Sequence, residues 1–292
     1  MKDMKQVIKA LLARIDYILY LTGIRKCNIK VHTIDETIEE LIQTNKSMVR
    51  FGDSEIAVIT GHNITLQQQI RPDLSEGLGR VLGYEHDALI VGIPDIFGDL
   101  SMYNKKSRNF WKGHLVSHRK VYMKYCNTNK KYFNAFVTRF YYCMEDKSAS
   151  DKWVSRMKEI WNDKDIVIVE GQRTHNGVGN DLFDNVRSLE RIIGPASNAY
   201  DKLEDIFLCC TQYSKDRLFL VSMGVTAKLL AEKLFLAGYR VLDIGNLDLE
   251  YEWYLHGEQT KAALEKHDVV GTEANLKAGY NEYLAQIKKE VC

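Results

Sequence analysis

Short, nearly continuous apolar runs alternate along this chain with stretches of helical period. The runs at 47–51, 88–93, 134–140, 165–170, 217–222 and 240–244 predict strands. Apolar positions three and four apart predict helices over 36–43, 73–82, 108–124, 150–161, 199–213 and 225–236. Strands that lack polar alternation and are separated by helices belong in a sheet covered on both faces. The expected fold class is therefore α/β: a Rossmann-like, mostly parallel sheet with helices on both faces. Upstream, 4–24 reads as an amphipathic helix, with Lys5, Lys9 and Arg14 set against Ile8, Leu11, Leu12, Ile15, Ile18 and Leu19. Only three prolines, no low-complexity segment and no repeat interrupt the chain. The expected organisation is an N-terminal helical extension, 1–34, and a single domain, 35–292.

Composition narrows the class. The 292 residues are 45% apolar and carry a formal net charge of +1, enough for a sizeable core in one large domain. Six cysteines are scattered without a C-x-x-C pair, which points away from a zinc site or a disulfide framework and towards a reducing cytoplasm. No apolar run reaches the length of a membrane-spanning helix, and no signal peptide is expected.

In parallel sheets, ligands bind beyond the carboxyl ends of the strands, so the residues just after each run carry the chemistry. After the first run comes Arg50-Phe51-Gly52-Asp53-Ser54-Glu55, with two carboxylates one residue apart. Asp53 and Glu55 suit a hard cation completed by substrate phosphates, with Arg50 holding the pair; the same residues also read as the capped start of a helix. After 165–170 comes a loop with Gly171, Gly177 and Gly179, in which Arg173 has the fork that matches phosphate oxygens. The unit from Leu218 through Ser222 and Gly224 to Ala227 reads as strand, tight turn and helix start, an anion site for a diphosphate. It lacks the further glycines of a dinucleotide fingerprint, which disfavours NAD and FAD and leaves a nucleotide sugar open. After 240–244, Asp248 and Glu250 form a second spaced acidic pair, candidates for a general base or favourable acids in a helix first turn.

Three motifs in this order resemble one family. They are R-F-G-D-x-E-I at 50–56, V-I-V-E-G-x-x-T-x-x-G-x-G-N-D-L-F at 167–183, and S-M-G-x-T-A continuing to L-D-I-G-x-L-D-x-E-Y-E-W at 222–253. Together, over roughly 35–275, they are similar to the GT-D glycosyltransferases of bacterial surface glycoprotein and polysaccharide synthesis. The resemblance implies a single Rossmann-like domain, a UDP-sugar donor and a D-x-E motif that binds Mn²⁺ or Mg²⁺, here Asp53 and Glu55. It also marks Asn180 and Asp181 as donor-site positions and the Asp248-x-Glu250 pair as a family position. Arg50, Arg173, Ser222 and Gly224 complete the expected donor site, and Asp248 and Glu250 the expected catalytic pair.

The acceptor expected is a lipid-linked or protein-linked glycan. Between Lys105 and Lys131 stand nine lysines or arginines, two histidines and no acid. With the helix 4–24, this stretch suits an anionic membrane surface, and so an enzyme peripheral to the inner face of the cell membrane; the alternatives are a helix packed on the body of the domain and a basic helix face balanced by acids elsewhere. Near-neutral net charge and the lack of a nucleic-acid motif argue against DNA or RNA. A homo-oligomer is compatible with all of this. The rival readings are a nucleotide-sugar hydrolase or phosphatase using the same carboxylates on water, and a non-catalytic nucleotide-sugar-binding partner of another transferase.

Overall fold

A computed structural model describes residues 27–61, 68–259 and 279–291, together with Ile15, Ile18, Leu19, Thr22 and Lys261. The expected helix 4–24 lies almost wholly outside the described residues.

The described strands are β1 (Lys30–Val31), β2 (Ser47–Arg50), β3 (Leu89–Ile93), β4 (Lys131–Asn134), β5 (Asp165–Gly171), β6 (Ser188–Gly194), β7 (Leu218–Ser222), β8 (Arg240–Asp243) and β9 (Ile287–Glu290). They form one sheet in the order β1-β4-β3-β2-β8-β7-β5-β6-β9, and each neighbouring pair is parallel. The helices are α1 (Ile34–Gln43), α2 (Asp53–Ile59), α3 (Pro72–Leu82), α4 (Lys105–Tyr125), α5 (Ser150–Trp161), α6 (Leu203–Cys210), α7 (Thr226–Leu236), α8 (Leu247–Leu255) and α9 (Tyr280–Gln286).

The strand residues sort by pleat. Val49, Phe51, Val91, Val167, Val169, Phe219, Val221 and Val241 join one apolar layer with residues of α2, α3, α6 and α7. Met48, Ile90, Ile166, Ile168, Leu218, Leu220 and Leu242 join the other, with residues of α1, α5 and α8. Because both faces are covered, both sets of side chains are apolar, which is why the strands read as continuous runs. Local signals start the helices: Thr33 and Glu36 form a reciprocal capping box on α1, and Pro72 opens α3.

From β2 the chain moves outward through β3 to β4. It then builds β5 and β6 on the far side and returns inward through β7 to β8, so that β8 comes to lie beside β2. Two segments remote in sequence therefore end side by side in the middle of the sheet, where open α/β sheets bind ligands.

The expected strand 134–140 is corrected. The strand ends at Asn134, whose side-chain oxygen accepts from the Phe136 amide at 2.9 Å and starts a 3-10 turn, Ala135–Thr138. The apolar residues that suggested a strand are buried all the same, Phe136 and Val137 in the second layer. The expected helix 199–213 is a 3-10 turn, Ala199–Lys202, followed by α6. Strand β6 was missed because Glu190 and Arg191 interrupt its apolar run.

Candidate active site

At the adjacent ends of β2 and β8 lies a buried charge network. The Arg50 amide donates to Asp243 Oδ2 at 3.1 Å, its Nε to the Asp243 carbonyl at 2.6 Å and its Nη1 to the Ala135 carbonyl at 3.0 Å. Lys228, in the first turn of α7, places Nζ 2.8 Å from Glu55 Oε1 and 3.1 Å from Asp243 Oδ2. Burial alone would pull the Lys228 ammonium down, but the carboxylates of Asp243 and Glu55 outweigh it and hold it above the ordinary lysine value. Burial lowers Arg50 despite Asp243 and Glu55. Arg50 therefore grips Asp243, and the cation on Glu55 is Lys228. Gly245, at φ +47°, is required here: a Cβ at that position would land on Arg50 Nη2.

Asp53 begins α2 at the mouth of this network. Its carboxyl is raised above the usual aspartate value by burial and by the charge of Glu55, against the pull of Arg139 and Lys261. Glu55 is committed inward, with Oε2 accepting from the Gly52 amide at 2.7 Å and Oε1 facing Lys228. Among the described residues no group of three or more His, Cys, Asp or Glu side chains could hold a metal ion. What is present fits a hard cation that takes one or two carboxylates and completes its shell with ligand oxygens, with Asp53 outermost and Glu55 behind it.

The second acidic pair belongs to α8 and is fully buried. Asp248 Oδ1 accepts from the Gly177 amide and from Asn180 Nδ2, both at 2.8 Å. Glu250 Oε1 accepts from the amides of Tyr141 and Tyr142 at 3.2 and 2.6 Å. Burial raises the Glu250 carboxyl, against Arg139 and those two amides. These acids hold backbone, whereas a general base must face the acceptor hydroxyl. Asn180 also donates to Glu252 Oε1, and Asp181 accepts from the Tyr251 hydroxyl at 2.6 Å while pairing with Lys158. The loop after β5 is thus clamped onto α8. From below it is braced by Glu170, which accepts from Asn176 and from the buried Arg191.

Ser222 Oγ donates to the Gly245 carbonyl at 2.7 Å, tying the ends of β7 and β8 together. Gly224, at φ +54°, borders open space, and Arg173 is exposed on the loop after β5. Asp53, Glu55 and Arg50 are thus brought together, whereas Asn180 and Asp181 serve the α8 clamp.

Sequence reading missed Lys228, Asp243, Arg139 and Lys261. A lysine inside the apolar stretch Thr226-Ala227-Lys228-Leu229-Leu230 was the available signal for Lys228, since a charge in a buried helix needs a partner. A cavity of about 980 Å³ lies elsewhere, between the loop 177–187, β6 and α9. Its charged lining, including Arg187, Glu190 and Lys288, is not part of the Asp53 network, and the chemistry rather than the volume marks the site.

A family model described as the glycosyltransferase GT-D fold matches residues 48–272. The chain is 41% identical over 241 residues to a probable glycosyl transferase, Gly, of Streptococcus gordonii, covering 82% of this chain and 35% of that protein. It is 38% identical over 234 residues to the glycosyltransferase GlyD of Streptococcus pneumoniae, covering 80% of this chain and 28% of that one. The chain thus spans about a third of the length of the curated relatives it matches. A solved glycosyltransferase from Streptococcus sanguinis superposes with a TM-score of 0.83 at 38% identity, covering 90% of this chain and 100% of that one. A solved domain described as having a distinct glycosyltransferase fold also gives 0.83, at 36% identity over 91% of this chain and 96% of its own.

Proposed function

The chain belongs to the GT-D glycosyltransferase family, and from that premise we propose that it moves a hexose from a UDP-sugar to a glycan acceptor with the help of a divalent metal ion. The observation that carries the reading is Asp53, a half-buried carboxylate in the first turn of α2 just beyond β2, on which the charges of Arg139 and Lys261 act. Breaking a sugar to diphosphate bond leaves negative charge on the departing nucleotide, and fixed cations and N–H donors lower the barrier by stabilising it. Asp53, with Glu55 behind it, would hold Mg²⁺ or Mn²⁺, which would supply Lewis-acid neutralisation of that charge. The open turn at Gly224 lets backbone approach a phosphate closely. The rigid Arg50–Asp243–Lys228 network keeps Glu55, and hence the start of α2, in place.

The same proposal extends to the acceptor side. On α4, Lys105, Lys106, Lys112, Lys120 and Lys124 are exposed along a helix without any acid, beside Phe110 at 50% and Met123 at 47% exposure. A basic surface studded with apolar side chains suits an anionic membrane carrying a lipid-linked glycan, and so a cytoplasmic enzyme peripheral to the membrane.

The test is UDP release from a panel of UDP-sugars, with glycan acceptors and with or without Mn²⁺ or Mg²⁺. The expected result is metal-dependent transfer that chelator abolishes. In Asp53→Asn, transfer should fall about 100-fold or more with melting little changed, because the amide keeps the shape of a half-buried side chain but loses the charge. Normal turnover by Asp53→Asn, or no turnover of any UDP-sugar by the wild type, overturns the reading.

A further inference from the structure

Arg139 follows the 3-10 turn Ala135–Thr138, and its position is built from both sides. Upstream, the Ala135 carbonyl accepts from Arg50 Nη1 at 3.0 Å. Downstream, the Tyr141 and Tyr142 amides are held by Glu250 Oε1. The other oxygen of that buried carboxylate, Oε2, lies 3.7 Å from Arg139 Nη1 and has no hydrogen-bond partner among the described residues. Glu250 is therefore a buried carboxyl set beneath an arginine. Above it, the Arg139 side chain is 31% exposed and its charge acts on Asp53. Lys261 acts on the same two carboxylates, Asp53 and Glu250, and stands over the Tyr142 ring. No hydrogen bond from the Arg139 guanidinium is formed among the described residues, which leaves its planar set of N–H donors for a ligand.

We infer that Arg139 is the residue that grips the diphosphate of the donor, and that Glu250 is a positioning residue which aims it, not the general base. The inference rests on the donor reading above, from which the nucleoside diphosphate is taken. A guanidinium half sunk over a buried carboxylate keeps one edge for that anchor. The other edge is presented to phosphate oxygens beside Asp53, where a bidentate contact gives both charge and direction.

The experiment is calorimetric titration of UDP and of UMP, each with Mn²⁺, into the wild type and Arg139→Gln, Arg139→Lys and Glu250→Gln, with UDP-sugar kinetics and a melting curve for each. Arg139→Gln should weaken UDP about tenfold or more and UMP far less, because the lost contact is to the diphosphate. Arg139→Lys should restore part of the UDP affinity as a point charge without the fork. Glu250→Gln keeps an acceptor for the two tyrosine amides but turns an amide or a neutral oxygen to the arginine. It should shift the UDP to UMP ratio in the same sense as Arg139→Gln and leave in place the acid limb of the kcat pH profile, which removing a general base would abolish. A purely structural Glu250 would lower the melting temperature with that ratio unmoved. UDP affinity equal to wild type in Arg139→Gln, in a wild type that turns over UDP-sugar, overturns this inference and leaves the donor reading standing. Absence of any nucleoside diphosphate binding by the wild type overturns both.

Discussion

Asp95 shows how a single carboxyl registers its surroundings. It follows Pro94 at the end of β3, and burial pushes it up to about 6, with Lys131 opposing. In the unfolded chain it titrates near 3.8. Between these values the unfolded chain releases a proton that the fold retains, so this carboxyl favours folding at low pH. The contribution is complete below the unfolded value and is lost as pH rises through the folded one. Asp95→Asn, which cannot ionise, should therefore melt with the wild type near pH 3.5 and progressively above it from pH 4 to about 6.5. Melting curves that stay parallel across that range would show that burial does not tax the charge. Lys228 is the opposite case, a buried ammonium matched by two carboxylates. Lys228→Met should cost about 3–5 kcal/mol in denaturant unfolding, since it leaves Glu55 and Asp243 buried without that partner.

Elements here are positioned as much by polar clamps as by apolar faces. Helix α8 turns Asp248, Glu250 and Glu252 inward, and each receives donors from another segment: Gly177 and Asn180, Tyr141 and Tyr142, and Asn180 again. A helix whose acids point to the protein rather than to water is holding loops. Asn180 joins the clamp at both ends, donating to two carboxylates and accepting from the Leu182 amide at 3.1 Å. Asn180→Ala should cost about 1–3 kcal/mol and raise hydrogen exchange at the Gly177 and Leu182 amides, with the amides of the buried β5 strand unchanged. Uniform exchange over both segments would mean that the loop is held by something other than this clamp.

Across the whole molecule, charge is balanced in sum but not in place. The exposed lysines of α4 have no acid on their own helix, and Phe110 stands among them half exposed. If this face meets an anionic membrane, the protein should sediment with anionic liposomes at low salt, come off as salt rises, and ignore neutral ones. Replacing Lys105, Lys106, Lys112 and Lys120 by glutamine should weaken sedimentation at least about tenfold, at roughly 1 kcal/mol per cation near the surface. UDP-sugar turnover with a soluble acceptor should persist. Binding that survives those four changes would remove α4 from the membrane reading.

Most of the architecture was legible from periodicity, because strands buried on both faces must be apolar throughout and helices between them must carry an apolar stripe. The strands β2, β3, β5, β7 and β8 fall close to the expected runs, and the family follows from three motifs at their ends. Local propensity did not separate the strand β4 from the turn after it, since Asn134 redirects the backbone while Phe136 and Val137 stay as buried as strand residues would be. Nor does β6 announce itself, for Arg191 in its middle looks exposed until Glu170 on the neighbouring strand is seen to pair with it. The D-x-E motif could be read as a candidate from its own residues. Its cation could not: Lys228 comes 173 positions after Glu55, and Arg50 is claimed by Asp243, 193 positions away. Spacing along a chain determines which side chains share a strand or a helix face. Which opposite charges meet beneath them depends on the order in which strands enter the sheet, and only the folded chain, by returning β8 to the side of β2, decides that.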